Sequence, residues 1–222
     1  MYRFIFFDLD GTLTDSSEGA FKCLDYAMGK LGEPPIPAET KKLFIGPPMT
    51  ESFPALLGFS REKTLDALRF FRERYAAYGQ KEVAAIPGMA EALSRLREKG
   101  LTLAVASSKD EPACHMVLEN LGIRQYFTVI AGHSDTRPGG TKADIIRFAM
   151  ERLGLTDRDR EAILMVGDRK YDVLGAAKCG IRCLGVDFCG FAPAGELEEA
   201  GAIALVRTAD EMADYILARA AQ

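Results

Sequence analysis

The sequence predicts an α/β protein in which a doubly wound parallel sheet carries a small all-helical second domain. Short apolar runs alternate with amphipathic stretches along most of the chain, the pattern of a parallel sheet with helices on both faces. The runs 3–7, 101–106 and 162–166 are apolar at nearly every position, as is typical of strands buried on both faces. The stretch 17–80 has helical periodicity and no strand pattern, which indicates the helical domain.

Glycines mark the ends of the predicted helices. A glycine directly after an amphipathic stretch favours helix termination, because it adopts a left-handed backbone at no steric cost. Four glycines stand in such places: Gly100, Gly122, Gly154 and Gly180. The candidate strands are 3–7, 101–106, 128–131, 162–166, 182–186 and 203–206, and the candidate helices are 88–99, 111–121, 142–153, 172–179 and 208–220.

The helical stretch is expected to be an insert in the α/β domain. Leucines and aromatic residues recur in it at helical spacing, first from Phe21 to Leu31 and then from Leu65 to Tyr75. Its two ends are polar or carry glycine, as linkers between domains do. We therefore expect residues 1–16 and 81–222 to form the α/β core and residues 17–80 to form the second domain.

The composition argues against several classes of protein. The 222 residues include 28 Lys and Arg against 32 Asp and Glu, a net charge of −4 that gives little support to a nucleic-acid-binding face. No apolar stretch approaches the roughly 18 residues of a membrane span, and the N-terminus lacks the apolar run of a signal peptide. The five cysteines include no C-x-x-C pair and are expected to be reduced. We therefore expect a cytoplasmic protein that binds neither nucleic acid nor membranes.

Two carboxylates follow the first predicted strand, in the string FDLDGTL at 7–13. Asp8 and Asp10 lie where an open parallel sheet binds its ligands, beyond the carboxyl end of a strand. In an extended chain their side chains are on the same side and about 7 Å apart. Such carboxylates repel each other unless a cation lies between them or one of them keeps a proton. The string predicts a reactive site, since an ordinary Asp-Gly turn does not account for all of it.

Polar residues also stand at three further strand ends or helix starts. Ser107 follows the second predicted strand, and Lys142 begins a predicted helix after two glycines. Asp168 follows the fourth strand, and Asp172 comes four residues later, a spacing that keeps both carboxylates on one side of a helical turn. Taken singly, Ser107 and Asp168 can be helix N-caps and Lys142 a solvated side chain. Four such segments in order, each at an element end, predict one shared site.

These segments resemble the motifs of the haloacid dehalogenase superfamily. Its phosphatases open with Asp-x-Asp-Gly-Thr, continue with a Ser or Thr at the next strand end and a lysine near a helix start, and close with Gly-Asp-x-x-x-Asp. The chain is similar at 8–12, Ser107, Lys142 and 167–172, with Ala143 where many relatives have proline. The resemblance covers nearly the whole chain and is greatest for phosphoglycolate-phosphatase-like enzymes. It implies a Rossmann-like core and makes the helical insert a cap domain.

The resemblance implies hydrolysis of a small phosphorylated metabolite through an aspartyl-phosphate intermediate. Asp8 would be the nucleophile and Asp10 the general acid and base. A dianionic phosphate approaches several carboxylates only beside a hard cation, so the expected cofactor is Mg²⁺. Its expected ligands are Asp8, the backbone carbonyl of Asp10, and Asp168. The further expected roles are phosphate binding for Ser107, Lys142 and Thr12, and orientation of metal-bound water or of Lys142 for Asp172.

Several activities stay open at this point. A 5'-nucleotidase or a pyrophosphatase would have the same motifs, because the motifs specify the reaction and not the leaving group. A dehalogenase is disfavoured by Asp10, and a sugar-phosphate mutase by the lack of histidine in residues 13–80. A phosphonate hydrolase uses a cap lysine as an amine nucleophile, and the cap contains several lysines. The alternative of a different class is a catalytically silent binding module, which the intact motifs disfavour.

The segment FIGPPM at 44–49 has two interpretations. Two prolines after a glycine fix a rigid turn, which either faces the substrate or only connects two cap helices. The leaving-group half of the substrate would be set by the cap. We expect a monomer or a weak dimer.

Overall fold

The structure is a computed structural model, and it describes residues 1–134 and 140–220. The second glycine before Lys142 is therefore described, and Gly139 lies outside the described residues. The strands are β1 (Phe4–Phe7), β2 (Thr14–Asp15), β3 (Ala84–Ala85), β4 (Thr102–Asp110), β5 (Phe127–His133), β6 (Ile163–Gly167), β7 (Arg182–Val186) and β8 (Leu205–Val206). The helices are α1 (Ser17–Leu31), α2 (Ala38–Lys42), α3 (Met49–Leu57), α4 (Arg61–Ala77), α5 (Met89–Glu98), α6 (Glu111–Asn120), α7 (Lys142–Arg152), α8 (Lys170–Lys178), α9 (Glu196–Ala200) and α10 (Ala209–Leu217).

The main sheet is parallel and doubly wound, which confirms the predicted fold class. Its strand order is β5-β4-β1-β6-β7-β8, so the chain builds outward from β1 in one direction and then in the other. The central strand β1 pairs with β4 on one side, where Phe7 is in register with Val105, and with β6 on the other, where Phe7 is in register with Val166. The order reverses beside β1, and its carboxyl end is thus the expected ligand-binding edge.

The central strands form because their residues are apolar on both faces. Ile5, Phe6 and Phe7 are fully buried, and Phe6 belongs to a core cluster that includes Met165 of β6 and Ile146 of α7. A sheet covered by helices on both sides removes every such side chain from water, at about 1.5–3 kcal/mol for each large one. This packing fixes the position of the strand ends that carry the polar residues.

The observed elements differ from the predicted ones in several places, and the short strands β2 and β3 were not predicted. Strand β4 continues to Asp110 and has an irregular register between Ala106 and Asp110. Helix α8 begins at Lys170, two residues before the predicted start, and the five-residue helix α9 was not predicted. The four predicted helix-stop glycines all have positive φ, between 66° and 86°, as the prediction requires.

The chain divides into two compact units. The first comprises residues 1–14 and the described residues from 85 onward, and the second comprises Asp15–Ala84. The second unit contains α1 to α4 and has its own apolar core. In this core Phe53 makes an edge contact with Phe44 and stacks on Phe59, at ring-centroid distances of 5.1 and 5.8 Å. In the segment 44–49, Phe44 and Ile45 are buried. That this unit is a cap with boundaries near 16 and 81 remains a prediction.

Strands β2 and β3 form a separate two-stranded sheet where the chain passes between the units. Among the described residues, no helix is both long enough and apolar enough to span a membrane.

Candidate active site

A tight loop after β1 holds the two carboxylates of the first motif. The backbone N–H of Asp8 donates to the carbonyl of Val166 at 2.9 Å, so Asp8 continues the ladder between β1 and β6. The carbonyl of Leu9 accepts from the backbone N–H groups of Leu13 and Thr14, at 2.9 and 3.0 Å, and from the Thr14 hydroxyl at 3.1 Å. The loop closes on itself through these bonds, which fixes the backbone on both sides of Asp10.

Gly11 and Thr12 of this loop contact Asp168 from the β6 end. Gly11 has a φ of +84°, and a Cβ atom built on it would lie 2.0 Å from Oδ2 of Asp168. The Thr12 hydroxyl, which is fully buried, donates to Oδ1 of Asp168 at 3.3 Å. Gly11 and Thr12 of the first motif thus orient the side chain of Asp168 in the fourth motif. The structure places Thr12 against Asp168, and its phosphate-binding role stays a prediction.

Lys142 is buried at the centre of the site. Its Nζ lies 2.7 Å from Oδ1 of Asp8 and 2.8 Å from Oδ1 of Asp172, and it donates to the carbonyl of Ala106 at 3.0 Å. Burial lowers the pKa of Lys142, but Asp172 and Asp8 together raise it more, so the net pKa is above the ordinary value. The lysine is therefore a fixed positive charge beside Asp8.

The backbone around Lys142 explains how an ammonium reaches this position. Thr141 caps α7 by accepting from the N–H of Asp144 at 3.3 Å, which sets the helix start. Helix α8 packs closely against the start of α7. A Cβ atom on Gly175 would lie only 2.8 Å from Cβ of Lys142, so the absence of a side chain at Gly175 permits this approach. The long side chain then extends to Asp8 after β1 and to Ala106 within β4.

Three carboxylates form a cluster that fits a hard cation. Oxygens of Asp8, Asp168 and Asp172 lie within 4.8 Å of one another, and all three residues are buried. Oδ2 of Asp168 has no hydrogen-bond partner among the described residues. Burial raises the pKa of Asp168 well above its ordinary value, and the charges of Asp172 and Asp8 add to this. Burial also raises the pKa of Asp172, to about 6, although Lys142 opposes the shift.

These observations are what a site for a divalent cation requires. Buried carboxylates that repel one another, with one oxygen lacking a partner, are compensated when a cation shares their oxygens. All the donor atoms are carboxylate oxygens, the ligand type that Mg²⁺ prefers. The residues present therefore fit the expected metal.

Asp10 lies in the loop after β1, and Ser107 lies in the neighbouring strand β4. Ser107 is buried, and its hydroxyl oxygen accepts from the backbone N–H of Lys109 at 3.3 Å. Lys109 in turn places its Nζ 2.6 Å from Oδ2 of Asp10. Sequence reasoning missed Lys109, although it stands only two residues after Ser107. Its contact with Asp10 spans 99 residues, and no local pattern indicates it.

Arg169 and Glu196 form a second contact that the sequence did not indicate. Nε and Nη2 of Arg169 lie 2.8 and 3.3 Å from the two carboxylate oxygens of Glu196, and the N–H of Lys170 donates to the same carboxylate at 3.1 Å. Burial raises the pKa of Glu196, but these partners lower it more in sum, and the net pKa is lowered. Helix α9 thereby holds the segment that follows Asp168.

The structure thus brings most of the predicted site residues into direct contact. Lys142 contacts Asp8 and Asp172, Thr12 contacts Asp168, and the three carboxylates adjoin. Asp10 and Ser107 are linked through Lys109. The roles assigned to the individual residues remain predictions.

The class of protein follows from this fold and this arrangement of motifs, and a family comparison agrees. Residues 5–186 match the family of haloacid dehalogenase-like hydrolases, which is most of the chain. The chain belongs to this family. Membership confirms the resemblance inferred from the four motifs.

Relatives with assigned names carry several activities. The chain is 39% identical over 180 residues to tyrosine-protein kinase PtkA of Mycobacterium tuberculosis, covering 81% of this chain and 60% of that protein. It is 34% identical over 196 residues to a 5'-nucleotidase of Pseudomonas aeruginosa, with 88% and 87% covered. It is 32% identical over 196 residues to phosphoglycolate phosphatase 1 of the same organism, with 84% and 70% covered. The chain thus spans about three fifths of the length of PtkA.

A solved structure resembles the whole chain. The crystal structure of a "predicted phosphatase" from Clostridium acetobutylicum superposes with a TM-score of 0.90 at 37% sequence identity, and 98% of this chain and 99% of that chain are covered.

Proposed function

We propose that the chain is a Mg²⁺-dependent phosphatase that hydrolyses a phosphate monoester of a small metabolite through an aspartyl-phosphate on Asp8. The observation that carries the proposal is the buried contact of 2.7 Å between Asp8 and Lys142. A nucleophilic carboxylate needs a nearby fixed cation to accept a phosphate dianion, and Lys142 supplies one. The motif aspartates Asp10 and Asp168 complete the set of groups that the reaction requires.

The chain's own residues carry two steps. In the first, a carboxylate oxygen of Asp8 forms a bond to phosphorus, the ester P–O bond breaks, and the leaving oxygen takes a proton from the Asp10 carboxyl. In the second, water bonds to the same phosphorus, the acyl-phosphate P–O bond breaks, and Asp10 receives the proton of the water. Lys142 and the Ser107 hydroxyl bind the phosphoryl oxygens. Both carboxyl groups end as they began.

The acidic cluster supports the expected cofactor. Asp8, Asp168 and the backbone carbonyl of Asp10 would hold Mg²⁺, and Asp172 would orient Lys142 or metal-bound water. The bound ion would neutralise charge on the transferring phosphoryl group.

The relatives support a small phosphorylated substrate but not one compound. We propose a phosphoglycolate-like monoester, because two of the relatives are named phosphoglycolate phosphatase and both are covered over more than two thirds of their length. A nucleoside 5'-monophosphate and pyrophosphate are the alternatives, and each has a named counterpart among the relatives. Comparing kcat/KM for phosphoglycolate, several nucleoside monophosphates and pyrophosphate identifies the preferred class.

The buried cysteines support a reducing compartment, in agreement with the expected cytoplasmic location. Cys23, Cys114, Cys179 and Cys183 are thiols, and all four are buried.

The proposal is tested by phosphate release from p-nitrophenyl phosphate with Mg²⁺, with Ca²⁺ and in chelator. Activity should require Mg²⁺, and Ca²⁺ should not replace it, because Ca²⁺ takes more ligands in looser geometry. Asp8→Asn should lower kcat at least about a thousandfold, since an amide cannot form the acyl-phosphate. Asp187→Asn is the matched control and should leave kcat unchanged, because Asp187 follows β7, two strands away from β1, and does not belong to the cluster of Asp8, Asp168 and Asp172. Full activity in chelator, or in Asp8→Asn, would refute the proposal.

A further inference from the structure

Lys109 is positioned by its own backbone at the end of β4. Its N–H donates to the Ser107 hydroxyl, and its carbonyl accepts from the thiol of Cys114 at 3.6 Å. The same carbonyl packs so closely on Gly132 of β5 that a Cβ atom there would lie 2.8 Å from it. The irregular register between Ala106 and Asp110 falls over this stretch. The backbone of Lys109 is therefore held on both sides, which directs its side chain to a fixed place.

The side chain of Lys109 contacts one oxygen of Asp10 and not the other. Nζ lies 2.6 Å from Oδ2, and the two side chains are only 13% and 19% exposed. Oδ1 of Asp10 is buried and has no hydrogen-bond partner among the described residues. A carboxyl group otherwise rotates freely about its last torsion, and a charge-assisted bond to one oxygen removes that freedom.

We propose that Lys109 is a positioning residue that holds Oδ2 of Asp10 and so fixes the orientation in which the Asp10 carboxyl exchanges its proton with the leaving group and with water. The inference rests on the proposed function and assigns a role within the same site. In the first step the Asp10 carboxyl gives its proton to the oxygen of the departing alcohol as the P–O bond breaks. In the second step the Asp10 carboxylate takes a proton from the attacking water as the acyl-phosphate bond breaks. Oδ2 stays on the ammonium throughout.

A positioning role and a purely structural role differ in their dependence on the leaving group. Proton donation matters most when the departing oxygen is strongly basic, as in an alkyl phosphate, and little when it is weakly basic, as in p-nitrophenyl phosphate. A general weakening of the site would slow both substrates by the same factor. The ratio of the two rates therefore reports on Asp10 alone.

The experiment measures single-turnover phosphorylation of Lys109→Ala with an alkyl phosphate and with p-nitrophenyl phosphate, in saturating Mg²⁺. We expect a loss of about 100-fold on the alkyl phosphate and less than about 10-fold on the aryl ester, in line with the usual contribution of general acid catalysis. Lys109→Arg, which keeps a donor and a charge, should recover at least about tenfold of the alkyl phosphate rate. Lys63→Ala is the control, because Lys63 forms a more exposed lysine–carboxylate pair with Glu33 in the helical unit and should change neither rate.

The outcomes separate this inference from the proposed function. If the unaltered chain hydrolyses no phosphomonoester, the proposed function fails. If the unaltered chain is active and Lys109→Ala slows both substrates equally, or neither, the positioning role is overturned. Lys109→Met retains the aliphatic stem and gives the same comparison if the alanine variant does not fold, as judged by circular dichroism. Failure of Lys109→Arg to recover any rate would also count against the proposal.

Discussion

Gly11 lies directly against Asp168, with room for no side chain between them. A Cβ atom on Gly11 would lie 2.0 Å from Oδ2 and 2.5 Å from Cγ of Asp168. The φ of Gly11 is +84°, a backbone conformation that disfavours any other residue. Position 11 therefore requires glycine for two independent reasons, and only the close approach to Asp168 concerns the site.

Comparing Gly11→Ala with an alanine variant of a second positive-φ glycine separates the contact with Asp168 from the backbone strain. Gly11→Ala should lower kcat/KM at least about 100-fold, because a displaced Asp168 no longer shares a cation with Asp8, and positioning errors of this size cost about that much. Gly100→Ala is the control, since Gly100 has a φ of +86° and nothing within 4 Å of its built Cβ. The control should lose about 1–2 kcal/mol of stability from the left-handed backbone and no activity. Equal kinetic losses in both variants would mean that backbone strain alone matters.

In chelator, the free energy of unfolding should fall as the pH rises from about 4 through about 6. Burial raises the pKa of Asp172 to about 6, so the folded protein binds this proton more tightly than the unfolded chain does. The resulting stabilisation is fully present below the unfolded pKa of about 3.9 and is lost as the pH passes through the folded pKa. Asp168, whose pKa is raised by burial first and then by Asp172 and Asp8, acts in the same direction.

Urea unfolding of Asp172→Asn against the unaltered chain isolates this contribution. The variant should lose less stability over the same pH range, whereas Asp187→Asn should follow the unaltered chain. Parallel curves for all three proteins would contradict the assignment. Saturating Mg²⁺ should flatten the curve of the unaltered chain, because the cation favours the ionised carboxylates.

The sequence located the strand-end residues but not the contacts that orient them. Asp8, Ser107 and Asp168 were predictable because parallel strands bring their carboxyl ends to one edge, and apolar runs reveal where each strand ends. The pairing of Lys109 with Asp10 depends on the irregular register between β4 and β5 after Ala106. No pattern of residues in the sequence indicates that irregularity. Tertiary packing sets the position of Lys109, because β4 continues to Asp110, past the end of its apolar run at Ala106.

Glu196 was missed for a related reason. Helix α9 has five residues, fewer than two turns, and shows no periodicity that sequence analysis can detect. Its contact with Arg169 spans 27 residues and depends on how the chain returns after β7. The predictable part of the site is the set of motifs at element ends, and the unpredictable part is the set of long-range partners around them.

Breaking the pair of Arg169 and Glu196 should be costly, because both side chains are buried. They are 5% and 8% exposed, and removal of one partner of a buried ion pair typically costs about 3–5 kcal/mol. We expect this loss of unfolding free energy in Glu196→Ala. Asp66→Ala is the control, since its pair with Arg69 is 49% and 61% exposed and should contribute less than about 1 kcal/mol. In urea unfolding, the double variant Arg169→Met with Glu196→Leu should recover most of the unfolding free energy that Glu196→Ala loses. If the double variant is as unstable as Glu196→Ala, the loss does not come from breaking the ion pair.

Removal of the Lys142 ammonium should make the stability of the chain depend more strongly on metal. Lys142→Met leaves Asp8, Asp168 and Asp172 close together without the buried cation that separates two of them, which should cost about 3–5 kcal/mol in chelator. Mg²⁺ binds the same carboxylates, so its stabilising increment should be larger in the variant than in the unaltered chain; at about 1,000 times the Kd such an increment reaches about 4 kcal/mol.

Activity should not return with stability in Lys142→Met. Mg²⁺ reduces the repulsion among the carboxylates, but the positive charge of Lys142 that binds the phosphoryl oxygens is gone. We therefore expect kcat to stay at least about 100-fold below that of the unaltered chain. The measurement is urea unfolding and phosphate release in chelator and in excess Mg²⁺, with Lys178→Met as the control because Lys178 is exposed at the end of α8. Equal Mg²⁺ increments in all three proteins would mean that the ammonium and the cation do not share the carboxylates, and recovery of kcat with Mg²⁺ would mean that Lys142 acts only through stability.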